Sequence, residues 1–97
     1  MQIKHDPVTV NAERIKADLI RWRRHLHRHP ELSFQEKETS AYVLRELEAM
    51  GAFDIQTNVG GYGIVATLSS GEGLVIGLRA DMDAVPSNEH NEVEYRS

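Results

Sequence analysis

Two carboxylates stand two residues apart at the end of an apolar run, Leu74-Val75-Ile76-Gly77-Leu78-Arg79-Ala80-Asp81-Met82-Asp83-Ala84-Val85-Pro86. A short apolar run of this kind reads as a buried strand. Residues i and i+2 of a strand share a face, so Asp81 and Asp83 project the same way if the strand persists that far. Like charges so placed repel, and they need a cation, a hydrogen-bond network or open water. Two readings follow: a solvated acidic loop, or a metal-binding or catalytic corner. Hard carboxylates at a strand end suit Mg, Mn or Zn, as ligands or as groups that orient ligands. They are only part of such a site, because a hydrolytic metal centre needs further ligands and a general base.

His25, His27 and His29 are the other group with metal-ligand chemistry. On a helix, His25 and His29 lie at i and i+4, close enough to share an ion. The helical zinc pattern is His-Glu-x-x-His, with a glutamate base inside it. Here the interior residues are Leu26, His27 and Arg28, and the arginines around them oppose a bound cation. The competing reading is a set of helix-terminal histidines followed by a Pro-Glu stop. Glu31 and Glu36 have the same standing as the histidines, and Glu36 reads as a helix cap rather than a base.

The elements that would position these groups follow from spacing. Residues 1–10 read as an extended lead-in. Asn11 is placed to cap a first helix. Ala12, Ile15, Leu19, Trp22 and Leu26 then recur at helical spacing and form one face. Pro30 ends that helix, since it has no N–H to donate and restricts His29 before it. Ser33 and Glu36 have the spacing of a capping box and predict a second helix over 34–50. Its inner stripe would be Val43, Leu47 and Met50, widened by Leu44, and Gly51 is placed for the left-handed position after it. Alternation over 53–59 predicts a half-exposed strand. Gly60-Gly61-Tyr62-Gly63 is a turn, 64–68 a second strand, and 69–73 a glycine-containing loop consistent with a hairpin into the run at 74–86. Residues 87–97 form a polar tail.

The fold class is therefore α/β: two N-terminal helices packed on a three-stranded sheet. Two helices cover only one face of such a sheet, yet the central strands are apolar enough for burial on both. The expectation is a piece of a larger α/β catalytic domain, or self-association through the exposed sheet surface. A chain of 97 residues buries only about 60–65% of its unfolded surface, which leaves a thin core. A net charge of −4 offers no basic face for nucleic acid. The absence of cysteine excludes disulfides, thiolate metal sites and a cysteine nucleophile. Neither a signal-like apolar core at the start nor a membrane-length apolar run is present, so the expected location is the cytoplasm.

Three blocks of the sequence carry a resemblance. Arg24-His25-Leu26-His27-Arg28-His29-Pro30-Glu31-Leu32-Ser33-Phe34, with Glu36 and Thr39, resembles the N-terminal signature of the N-acyl-amino-acid amidohydrolases. That family lies within the aminoacylase/carboxypeptidase metallopeptidase superfamily. Gly63-Ile64-Val65-Ala66 and 78–86 resemble its next two blocks, and Tyr95-Arg96-Ser97 the following one. Val85 and Ser87 depart from the usual Leu and Ile.

The resemblance implies a binuclear metallohydrolase that cleaves the amide of an N-acyl amino acid. Zn, Mn, Co or Ni would serve as the ions, with a glutamate as proton shuttle. It also implies an α/β catalytic domain interrupted by a lid and dimerisation domain that this chain lacks. In the wider superfamily the position of Asp81 is a metal-ligand histidine, and that of Asp83 an aspartate that orients it. Asp83 is accordingly an orienting residue, and Asp81 lies near the site without an assigned role. The family's Cys/His metal motif would begin after Ser97. The expectation is the first quarter of such an enzyme, binding no ion and inactive by itself.

Two rival readings remain. Asp81-Met82-Asp83-Ala84-Val85 loosely fits the Asp-x-Asp start of phosphotransferases with an aspartate nucleophile. Against it, Arg79 and Ala80 interrupt the apolar run. The other is a non-catalytic fragment whose open sheet pairs with a partner or with a second copy.

Overall fold

The structure, a computed structural model, describes residues 7–86 and 97. Among the described residues, three helices and two strands occur in the order α1 (Pro7–Arg14), α2 (Lys16–Arg28), α3 (Lys37–Met50), β1 (Asp54–Val59) and β2 (Gly63–Thr67). They fall into two compact units, residues 7–29 with Ser97, and residues 30–86.

In the first unit, helix begins at Pro7, where a missing N–H costs nothing because the first turn has no intrahelical acceptor for it. Residues 7–10 are thus helical rather than an extended lead-in, and Asn11 lies inside α1 instead of capping it. Residues 1–6 fall outside the described residues. The helix breaks at Ile15, at φ −103° and ψ 9°. Its hydrogen bonding carries on: the Ile15 N–H donates to Asn11 O at 3.3 Å and the Leu19 N–H to Ile15 O at 2.9 Å. Of the expected apolar face, Trp22 and Leu26 are half-buried, while Ile15 and Leu19 remain 44% and 43% exposed. The Arg21 guanidinium sits 5.7 Å from the Trp22 ring centroid, within cation–π range. α2 stops where Pro30 requires, with the His29 N–H closing onto His25 O at 3.1 Å.

The second unit is α3 against the β1–β2 hairpin. α3 starts at Lys37, later than the capping-box reading, because Ser33 and Glu36 have other partners. Gly51 does end it in the left-handed conformation, at φ 72°, its N–H bonded to Glu48 O at 3.1 Å. The helix turns Tyr42, Val43, Leu44 and Leu47 partly inward, but Met50 is exposed. It packs on β2, and the Ser40 hydroxyl donates to Tyr62 O at 2.7 Å, tying helix to hairpin turn. Thr39 and Ser40 are buried, whereas no hydrophobic side chain among the described residues is.

β1 and β2 are antiparallel, in the register Asp54↔Thr67, Ile55↔Ala66, Gln56↔Val65 and Val59↔Gly63, with an irregularity between Gln56 and Val59. The turn requires glycine at 63. A Cβ there would stand 2.2 Å from the Val59 carbonyl oxygen, backbone that cannot yield cheaply.

The expected third strand is absent. Residues 74–80 form no strand, and Leu74, Val75, Ile76 and Leu78 are 98%, 97%, 83% and 98% exposed. The hairpin expected across 69–73 is absent with it. The sheet is two-stranded, so the α/β class stands but not two helices on three strands. The physical reason is pairing: a strand persists when its N–H and C=O groups meet another strand. This run lies along neither edge of the hairpin. The polar tail, Ser97 apart, lies outside the described residues.

Candidate active site

Three segments of the second unit converge: the loop 31–36, the hairpin turn 59–63, and the segment 79–84. They enclose an open cavity of ≈ 360 Å³, and Ser33, Phe34, Glu36, Tyr62, Arg79, Asp81 and Asp83 contribute to its wall.

The loop is the organising piece. The Glu31 carboxylate accepts the Glu38 N–H at 3.1 Å and the Thr39 N–H at 2.5 Å, two of the amides that the first turn of α3 leaves without intrahelical partners. A carboxylate also complements the positive end of the helix dipole. Burial alone pushes the Glu31 carboxyl up. The Thr39 hydroxyl, with the Thr39 and Glu38 amides, outweighs it and holds the group below its ordinary value. The Glu31 carbonyl also accepts the Ala84 N–H at 2.8 Å, fastening the 79–84 segment to the loop.

Two residues on, the Ser33 hydroxyl donates to Asp83 Oδ2 at 2.5 Å. Phe34 follows at φ 64°, a left-handed conformation that is uncommon for a bulky side chain. Such backbone costs on the order of 1–3 kcal/mol and persists only where its surroundings over-determine it. Here the Phe34 N–H is held by Glu36 Oε1 at 2.8 Å and the Gln35 N–H by Leu32 O at 2.9 Å. Glu36 is thus a local brace for the loop, and Glu31 takes the capping role.

Asp81 pairs with Arg79 at 3.0 Å, their side chains 66% and 88% exposed. An ion pair so solvated contributes little. The two aspartates therefore differ. Asp83 is directed by a hydroxyl contributed from fifty residues away in sequence, while Asp81 stands in solvent beside a guanidinium. Both reach the same cavity although their segment is not a strand.

His25 and His29 are in the other unit, their ring centroids 4.7 Å apart. Among the described residues no group of three or more His, Cys, Asp or Glu side chains could hold a metal ion. The donor set is too short for a hydrolytic metal centre, and these residues do not fit one by themselves.

The spacing of Asp81 and Asp83 makes them candidates in the sequence, but it does not show what fixes Asp83. Ser33 has the spacing of a helix cap, and nothing local signals a partner so distant. The capping role of Glu31 had a signal, an acidic residue shortly before a helix N-terminus. The nearer Ser33 and Glu36 masked it.

Relatives of known name define the class as amidohydrolases. The chain is 40% identical over 86 residues to an N-acyl-L-amino acid amidohydrolase of Geobacillus stearothermophilus, covering 89% of this chain and 23% of that protein. It is 43% identical over 81 residues to the putative amidohydrolase YhaA of Bacillus subtilis strain 168, covering 82% of this chain and 20% of that protein. An uncharacterised hydrolase of Staphylococcus haemolyticus is 44% identical over 78 residues, 77% of this chain and 19% of that protein. The chain is thus similar to proteins named amidohydrolases and spans about a fifth of the length of these relatives. No protein-family model matches the chain, and no solved structure matches it. No helix among the described residues is long and apolar enough to cross a membrane.

Proposed function

We propose that this chain supplies one corner of a site that cleaves the amide bond of N-acyl amino acids. The observation that carries the reading is the meeting of Ser33 and Asp83 on one cavity, in a chain 40% identical to a protein named as an N-acyl-L-amino acid amidohydrolase. Asp83, with one oxygen engaged by Ser33, is the orienting carboxylate. Asp81 lies near the reacting groups. Divalent Zn, Mn, Co or Ni ions belong to the proposed activity, with their remaining donors outside the described residues. By itself the chain binds no such ion and turns over no substrate. Its expected setting is the cytoplasm.

The test is an amide-hydrolysis assay on N-acetyl and N-benzoyl amino acids with each metal added, run beside an NMR titration with the same compounds. The expected result is no turnover, with resonance shifts at Ser33, Tyr62 and Asp83. Turnover overturns the claim of inactivity, and a titration without shifts overturns the substrate class.

A second reading is favoured by the exposed run at 74–78: self-association of the chain through that segment. Light scattering across a concentration series tests it, and a constant monomer mass overturns it.

A further inference from the structure

We infer that Phe34 is a specificity-determining residue that presents its ring to an apolar acyl group. The inference rests on the substrate reading above and adds what the site selects.

Phe34 holds an unfavourable backbone conformation, at φ 64°, yet the residue is 81% exposed. A strained residue that buried its ring would be explained by packing, and this one is not. The loop is nevertheless fixed on both sides of it. Glu31 is bound to the first turn of α3, Ser33 to Asp83, the Phe34 N–H to Glu36, and the Gln35 N–H to Leu32. All of this restraint holds an aromatic ring at the wall of the cavity that Asp81 and Asp83 also reach. Strain preserved by surrounding hydrogen bonds is a feature of ligand clamps and binding sites. A pre-placed ring also loses little further entropy on contact with a ligand. Aromatic faces take up aliphatic chains and stack with other rings, so the matching part of an N-acyl amino acid is a large apolar acyl group rather than its carboxylate.

The experiment is an NMR titration of the 97-residue chain with N-acetylglycine and with N-benzoylglycine. The expected result is about tenfold tighter binding of the benzoyl compound, with the largest shifts around Phe34. Phe34→Gly and Phe34→Asn suit a positive φ and keep the fold, which the α3 circular dichroism checks. Both should erase the preference, and Phe34→Tyr should retain it. An unchanged preference in Phe34→Gly and Phe34→Asn overturns the inference and leaves the substrate reading standing. Binding of neither compound overturns the substrate reading, and this inference falls with it. If Phe34→Gly instead reduces the self-association of the chain and leaves the acyl preference intact, the ring serves a second copy and the inference is overturned.

Discussion

The hairpin 54–67 and the run 74–80 both carry strand signals, and the stronger signal belongs to the one that forms no strand. β1 is mostly polar, with Ile55 and Val59 its only apolar residues, yet it pairs with β2 on both sides of an irregularity between Gln56 and Val59. The run 74–78 is uninterrupted Leu, Val, Ile, Gly and Leu and stands in solvent. The difference lies in where the partners are. β1 finds its partner across a tight turn that includes Gly60 and Gly61 at positive φ, so loop closure is short. An all-apolar strand is suited to burial on both faces and needs neighbours supplied by non-local parts of a fold. Hydrophobicity measures how much a segment needs partners, whereas turn chemistry decides whether it meets one nearby.

The comparison is broken most directly at the turn. Gly63→Ala places a methyl 2.2 Å from the Val59 carbonyl, so the turn must open. The expected cost is about 2–3 kcal/mol, read by urea unfolding with circular dichroism and by loss of the cross-strand amide protection. If Gly63→Ala unfolds like the parent chain, the hairpin does not depend on this close approach, and its contrast with the exposed run loses its basis.

The loop that fixes the site gives the next effect. Glu31→Ala leaves the Glu38 and Thr39 amides without their acceptor and should cost about 1 kcal/mol, with fraying of the start of α3. Glu31→Gln should recover part of it. The same contact makes stability depend on pH. Because hydrogen bonds hold the folded carboxyl of Glu31 below its ordinary value, its contribution is complete only above the ordinary glutamate range. It is lost as pH falls through the folded value, where the carboxyl protonates in both states. An acid titration of the parent against Glu31→Gln should show this difference, and identical acid transitions would remove Glu31 from the account.

Ser33 and Asp83 tie the loop 31–36 to the segment 79–84, and they show where legibility stops. A double-mutant cycle of Ser33→Ala and Asp83→Asn should give about 0.5–1 kcal/mol of coupling, modest because both side chains are exposed. The sequence made the carboxylates visible through their spacing, the end of α3 through Gly51, and the turn between β1 and β2 through its glycines. These are local devices, and the structure contains them. It did not reveal the partner of Asp83, the partnerless state of residues 74–78, or the late start of α3. In each case the deciding contact is non-local, or two local signals compete for the same helix terminus. Ser33 illustrates the second case. Its hydroxyl could bond the amides after it or a carboxylate far along the chain, and the charged acceptor won.

The smallest expected effect is the sharpest statement of the contrast. Leu78→Ser removes a large apolar side chain from the most apolar stretch of the sequence, and in a packed strand such a loss would cost about 2–5 kcal/mol. At 98% exposure Leu78 has no packing to lose, so unfolding should shift by less than about 0.5 kcal/mol. A larger cost would mean that the run is covered in solution, by another part of the chain or by a second copy. Concentration separates these. A cost that grows with protein concentration belongs to association, since a bound partner stabilises by mass action, and a constant one belongs to the chain itself. Ile76→Lys sharpens the result, because a charge on an open strand blocks edge pairing and leaves an unpaired segment undisturbed.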